Sequence, residues 1–153
     1  MNIVSTQYTL STKSLEIYLA GCSGQPKCKG CHNQELWDFN IGEDWKSKIK
    51  DITNKCDEFV YILENIMVFG GEILDNNERE VIDFLSELNT ETSLDVWIFT
   101  RYKLDDISED IKHLCNYIKC GRYDEDLLTD NNVQYGIKLA TSNQNIYKRG
   151  VDY

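Results

Sequence analysis

Ile66-Met67-Val68-Phe69-Gly70-Gly71-Glu72 is the stretch that decides the fold. Four apolar residues run together without a polar break and then meet two glycines. A strand covered on one face alternates apolar with polar residues, whereas one covered on both faces reads as a short continuous apolar run. This segment is therefore expected at the centre of a sheet, with chain packed above and below it.

Reading outward from it, the pattern alternates in period. Downstream, Val81, Ile82, Leu85 and Leu88 form the apolar stripe of a helix over Asn76–Leu88, with charged residues between them. A strand follows at Leu94–Phe99, then a helix marked by Ile107, Ile111 and Leu114, then a core strand at Tyr117-Ile118. Upstream, Trp45, Ile49 and Ile52 set a helix that starts at Asp44. A second helical piece is expected over Asp57–Leu63, with Phe59, Ile62 and Leu63 inward. Two strands, Gln7–Leu10 and Leu15–Ala20, flank the turn Ser11-Thr12-Lys13-Ser14, and Leu15-Glu16-Ile17-Tyr18-Leu19 alternates as a half-buried strand should. Asp124–Tyr153 is polar and turn-rich, with a last strand near Ile146-Tyr147. Strands alternating with helices predict a parallel sheet with crossover helices. A closed eight-stranded TIM barrel takes about 250 residues, and this chain has 153. The expected fold is thus α/β: an open partial (β/α) barrel with a mostly parallel sheet, in one domain over residues 1–153.

The totals narrow the function. Hydrophobic residues at 41% and charged residues at 27% are the balance of an ordinary globular chain. The formal charge of -10 comes without a basic block, which argues against a nucleic-acid partner. No apolar run approaches the roughly 20 residues of a membrane helix. The first residues lack a basic start followed by an apolar stretch, so the expected compartment is the cytoplasm. In that reducing compartment six cysteines are not read as disulfides. Cys56, Cys115 and Cys120 are scattered and read as buried thiols, whereas Cys22, Cys28 and Cys31 sit together after the first core strand.

Gly21-Cys22-Ser23-Gly24-Gln25-Pro26-Lys27-Cys28-Lys29-Gly30-Cys31-His32-Asn33 is therefore the candidate chemical centre. Thiolates are soft ligands suited to zinc and to iron–sulfur clusters. Structural zinc would need a fourth ligand from His32, Cys56 or Cys120. Cys28-Lys29-Gly30-Cys31-His32 also has the form of a c-type haem attachment site, which leaves Cys22 unexplained. A ferredoxin-type cluster would need a distant fourth thiol. In the fourth reading the missing ligand is functional: three thiolates hold a cluster whose last iron stays open, as catalytic zinc keeps an open position. Gly70-Gly71-Glu72 and Thr100-Arg101-Tyr102 follow the next two strands, so three polar clusters fall at the C-terminal strand ends, where such sheets build their sites.

On these residues the chain resembles the radical S-adenosylmethionine enzymes, and within them the small activating proteins of anaerobic ribonucleoside-triphosphate reductases. Cys28-Lys29-Gly30-Cys31-His32-Asn33, Trp37-Asp38-Phe39, Phe69-Gly70-Gly71-Glu72 and Ser142-Asn143-Gln144 carry the likeness across most of the chain. The resemblance implies a 4Fe-4S cluster on Cys22, Cys28 and Cys31 and S-adenosylmethionine as second cofactor. It implies that Gly70, Gly71 and Glu72 meet the cofactor's methionine end, with Thr100 nearby and Ser142 and Asn143 toward its other end. It also implies a large glycyl-radical reductase as protein substrate, and an electron donor such as flavodoxin or ferredoxin. The chain departs from the family pattern in three places. The first two cysteines are separated as C-x5-C rather than C-x3-C, Ser11–Ser14 replaces a glycine- and arginine-bearing segment, and Arg101 stands where a glycine often follows the strand-end threonine. Outside these stretches, His113 reads as structural or exposed. Trp45 and Trp97 read as packing residues, Trp37 as a shield for the cysteine loop, and the acidic run Glu72–Glu80 as a helix start with a solvated face.

Overall fold

The computed structural model describes every residue from Met1 to Tyr153. β1 (Asn2–Thr9) and β2 (Ser14–Leu19) form an antiparallel hairpin, and β3 (Glu43–Asp44) pairs with the outer edge of β1. Three helix–strand units follow: α1 (Trp45–Glu58) with β4 (Asn65–Gly70), α2 (Glu78–Glu91) with β5 (Asp95–Phe99), and α3 (Glu109–Leu114) with β6 (Tyr117–Cys120). The chain then runs through a two-stranded ribbon, β7 (Val133–Gln134) and β8 (Ile137–Lys138), to β9 (Asn145–Lys148). Seven strands share one sheet in the order β3-β1-β2-β4-β5-β6-β9. The central four, β2, β4, β5 and β6, are parallel, and both flanks are antiparallel. β3 and β9 are free edges, so the sheet is open and no closed barrel forms.

The uninterrupted apolar run of β4 is used as its composition demands. Ile66 and Val68 face the helices among Leu15, Ile17, Leu19, Val96, Ile98 and Ile118. Met67 points the other way and packs with Trp97, Leu139 and Ile146. Residues of all three helices belong to the first of these clusters, where Trp45 of α1 meets Phe84 of α2 edge-on with ring centroids 5.5 Å apart. Full burial of each such side chain is worth about 1.5–3 kcal/mol. The helix starts are fixed by side-chain caps. Asp44 accepts from Lys46 N at 2.9 Å and Asn77 accepts from Glu80 N at 3.3 Å, satisfying donors that a first turn leaves free. Replacing Asn77 by alanine is expected to cost about 1 kcal/mol. Urea unfolding would show this as a lower midpoint with an unchanged slope.

The sheet face away from the helices is different in kind. It carries a row of rings, with Tyr18 stacked on Phe69 at 5.6 Å, Phe69 against Phe99 at 4.0 Å, and Trp97 on Tyr117 at 3.8 Å. Glu16 is also on this face and is buried, accepting from Gln7 Nε2 and Tyr18 Oη, both at 2.7 Å.

Three expectations need correction or extension. Asp57–Leu63 is not a second helix: Asp57 and Glu58 end α1, and Phe59–Leu63 is a turn, closed by bonds from Ile62 N and Leu63 N to Phe59 O, that brings the chain into the register of β4. Leu63 alone is buried there, whereas Phe59 and Ile62 are 39% and 47% exposed. The first strand begins at Asn2, earlier than the Gln7 expected, because its start is held by backbone pairing to β2 and β3, which needs no apolar alternation. Glu72 and Asp75 are not on a solvated face; both side chains are buried. The last strand does form around Ile146-Tyr147 and pairs antiparallel with β6. No helix is long and apolar enough to cross a membrane.

Candidate functional site

The loops that leave β2, β4 and β5 converge on a cavity of 210 Å³. Cys22, Cys28 and Cys31 line it from the first loop, Gly70, Gly71 and Glu72 from the second, and Thr100 and Arg101 from the third. The cysteine loop is tied down along its length. Gly21 N donates to Leu36 O at 2.7 Å and Cys22 N to Trp37 O at 3.1 Å, which seats the first cysteine against the segment that carries Trp37. Cys31 N donates to Cys28 O at 3.2 Å, closing the tight turn between the second and third cysteines. The Lys27 ammonium donates to Cys22 O and lies 5.2 Å over the Trp37 ring. The far side is fastened to the chain after β6 by the Lys29–Glu125 ion pair at 2.6 Å. Trp37 lines the cavity, as a shielding ring should.

The two glycines after β4 serve a backbone junction. Gly71 N donates to Leu19 O at 3.0 Å and Glu72 N to Gly21 O at 2.6 Å. A Cβ on Gly70 would stand 2.2 Å from Leu19 O, and one on Gly71 1.9 Å from Gly21 O. The close approach that glycine permits is taken up here by the protein's own backbone, and it locks the start of the cysteine loop to the end of β4. Glu72 is equally committed. Its side chain is 2% exposed and accepts from Thr100 Oγ1 at 2.7 Å, Arg101 N at 2.8 Å and Leu74 N at 3.2 Å. Burial pushes its carboxyl above the usual range, and these three donors oppose the shift.

Two cavity residues escaped the sequence reading as functional candidates. Lys119 of β6 is buried, and its ammonium donates to Gly121 O at 2.7 Å. Burial pulls its pKa down to about 8, against the pull of Glu72, Cys120 and Cys28. Its signal was present: Ile118 and Cys120 face the helices, and period two sends the residue between them to the other face. Arg101 was noted only as a departure from a pattern. Ser142 and Asn143, expected near a cofactor, are exposed and outside the cavity lining. They sit behind its wall, where Asn143 Nδ2 donates to Arg122 O at 2.9 Å and Ser142 N to Leu127 O at 2.9 Å. His113 is exposed, with Nδ1 against Glu109 O.

The donor set suits a polynuclear thiolate-bound group. The other three thiols lie in the core on the helix side of the sheet. Burial pushes Cys56 up to about 11 and Cys120 up to about 12, and Cys115 up as well, as for thiols packed in an apolar core. These three thiols do not line the cavity that Cys22, Cys28 and Cys31 share.

The four parallel strands thus carry three cysteines at their mouth, a donor set that can hold an iron–sulfur cluster. The 4Fe-4S single cluster domain family matches residues 13–147, and the chain belongs to that family. Among its relatives are proteins named anaerobic ribonucleoside-triphosphate reductase-activating protein. The one from Escherichia coli (strain K12) is 26% identical over 117 residues, covering 72% of this chain and 75% of the relative. That from Haemophilus influenzae is 27% identical over 105 residues, 67% and 66% of the two chains. That from Enterobacteria phage T4 is 24% identical over 116 residues, 74% and 72%.

Proposed function

We propose that this protein is a radical S-adenosylmethionine enzyme, acting as one domain over residues 1–153, that activates an anaerobic ribonucleotide reductase. The observation that carries the reading is the gathering of Cys22, Cys28 and Cys31, with no fourth cysteine, around the cavity that the ends of β4, β5 and β6 complete. Its membership of a 4Fe-4S family and the names of its relatives support it. The three thiolates would hold a 4Fe-4S cluster. The chemistry such a cluster would supply is a single electron for the reductive cleavage of S-adenosylmethionine to methionine and a 5′-deoxyadenosyl radical. The residues of the chain bind, orient and shield. Gly70, Gly71 and Glu72 present the ledge for the cofactor's methionine end, and Thr100 fixes that ledge by donating to Glu72. Ser142 and Asn143 back the wall toward the other end. The open sheet, read as a partial (β/α) barrel, leaves a side for a large protein substrate, whose glycine would give up hydrogen and keep the radical. A flavodoxin or ferredoxin is the donor this chemistry calls for in the cytoplasm.

The test is anaerobic reconstitution with iron and sulfide, followed by reductant and S-adenosylmethionine. The expected products are methionine and 5′-deoxyadenosine in equal amounts, with an electron paramagnetic resonance signal from the reduced cluster. A protein that binds one zinc tightly and leaves S-adenosylmethionine intact would refute the reading. Adding an anaerobic reductase and finding 5′-deoxyadenosine but no glycyl radical would point to another peptide or a small molecule as substrate.

A further inference from the structure

Arg101 links two features that are far apart in sequence. Its Nη2 donates to Asp75 Oδ1 at 2.6 Å, and the other carboxylate oxygen of Asp75 accepts from Ser23 N at 2.6 Å. Tyr102 Oη adds a third bond to Asp75 at 2.8 Å. The end of β5 is thus braced, through one buried carboxylate, against the residue that follows the first cysteine. Burial works to raise the Asp75 carboxyl, but the bonds from Arg101, Ser23 and Tyr102 outweigh it and hold the group below the usual range. The guanidinium is only partly used by this brace. Its Nε is buried and has no hydrogen-bond partner, and the nearest carboxylate oxygen, on Glu72, is 3.9 Å away. A Cβ built on Gly24 would lie 3.4 Å from that Nε and 3.6 Å from Cys22 Sγ, so the two atoms are within about 7 Å of one another, and both residues line the cavity. A buried N–H without an acceptor costs free energy, and a group held nearby by Cys22 can supply one.

We propose that Arg101 is a positioning residue for the iron–sulfur group: it braces the Cys22 turn through Asp75 and turns a cationic N–H toward the sulfur shell at Cys22. This deepens the functional reading above and rests on it. A cation and a donor beside the sulfurs stabilise the more negative, reduced state, because hydrogen bonds to sulfur and nearby charge set the potential of such clusters. The brace also gives the longer C-x5-C loop a second anchor near its first cysteine.

Two measurements on the anaerobically reconstituted protein test this: a redox titration followed by electron paramagnetic resonance, and the rate at which a ferrous chelator removes iron. Arg101→Met removes the charge and every side-chain donor; Arg101→Lys keeps the charge and loses the planar fork. In the methionine variant the ratio of reduced to oxidised cluster at a fixed potential is expected to fall about tenfold, equivalent to about 59 mV for one electron, with faster iron release. The lysine variant is expected to release iron faster than the parent while keeping its midpoint. Asp75→Asn, which weakens the brace and leaves Arg101 in place, is expected to speed iron release without lowering the midpoint. A methionine variant that retains its cluster with the parental midpoint overturns the proposal, as does an equal downward shift in both arginine variants. If the methionine variant holds no cluster, the lysine variant decides: a loaded cluster at the parental midpoint supports the proposal, and no cluster at all overturns it. Failure of the parent itself to bind a cluster would instead refute the functional reading.

Discussion

Cys28→Ala is expected to abolish retention of the iron–sulfur group and to lower S-adenosylmethionine cleavage by more than about 100-fold, since changing residues merely behind metal ligands already costs 10–100-fold. Cys28 has no packing role to lose. Its side chain is partly exposed on a loop at the cavity mouth, so thermal unfolding of the metal-free variant should lie within about 0.5 kcal/mol of the metal-free parent. Cys56→Ala is the matched control. Cys56 belongs to the helix-side core, so its loss should cost about 1 kcal/mol of stability through a small cavity while iron and sulfide content stay at parental levels. Iron analysis, visible absorption and denaturant melts on both variants check the pair. Parental iron in Cys28→Ala, or lost iron in a folded Cys56→Ala, would contradict the assignment of ligands.

Gly71→Ala should have the second large effect, and through the backbone. The added methyl would lie 1.9 Å from Gly21 O, 2.4 Å from Gly21 C and 2.9 Å from Leu36 O. None of these is the movable tip of a side chain. Relieving the overlap means separating β4 from the start of the cysteine loop, which breaks the bond from Glu72 N to Gly21 O and strains that from Gly21 N to Leu36 O. A cost of about 3 kcal/mol or more is expected, a large share of the 5–15 kcal/mol that holds a typical domain. The variant should lose affinity for the cluster even at temperatures where circular dichroism shows it folded, because Cys22 follows directly on the displaced Gly21. Gly136→Ala makes the comparison: nothing lies within 4 Å of a Cβ there, although its φ of 78° leaves some backbone strain. That change should leave iron content untouched. Full iron retention in Gly71→Ala would show that the junction does not set the loop.

The legible parts of the fold were those where one residue's environment follows from its own neighbours. Ile66–Phe69 announced a strand covered on both sides, and Met67 does pack opposite to Ile66 and Val68. Val81, Leu85 and Leu88 announced a helix face, and they are buried in the main core. The failures had the opposite character. Phe59 and Ile62 carry helical spacing but fall where the chain must leave α1 and enter β4, and the need to meet that register overrode the local pattern. Asn2–Val4 gave no strand signal because this end of β1 is held by backbone pairing to β2 and β3, partners remote in sequence.

The site divides along the same line. Sequence alone determined that three thiols cluster after a strand, that two glycines and a glutamate follow the next, and that a threonine closes the third, because residue type and short spacing carry that information directly. Only the tertiary structure decided what those groups do to each other. Ser23 reaches Asp75 across 52 residues, and Arg101 reaches it across 26, distances along the chain at which partners are chosen by sheet register and not by local preference. The glycines that looked like room for a cofactor first make room for Leu19 and Gly21, and the acidic residues that looked solvated are buried acceptors. The physical reason is common to both. A strand's alternation is written into consecutive residues, whereas a buried hydrogen bond exists only once two strand ends have been brought side by side.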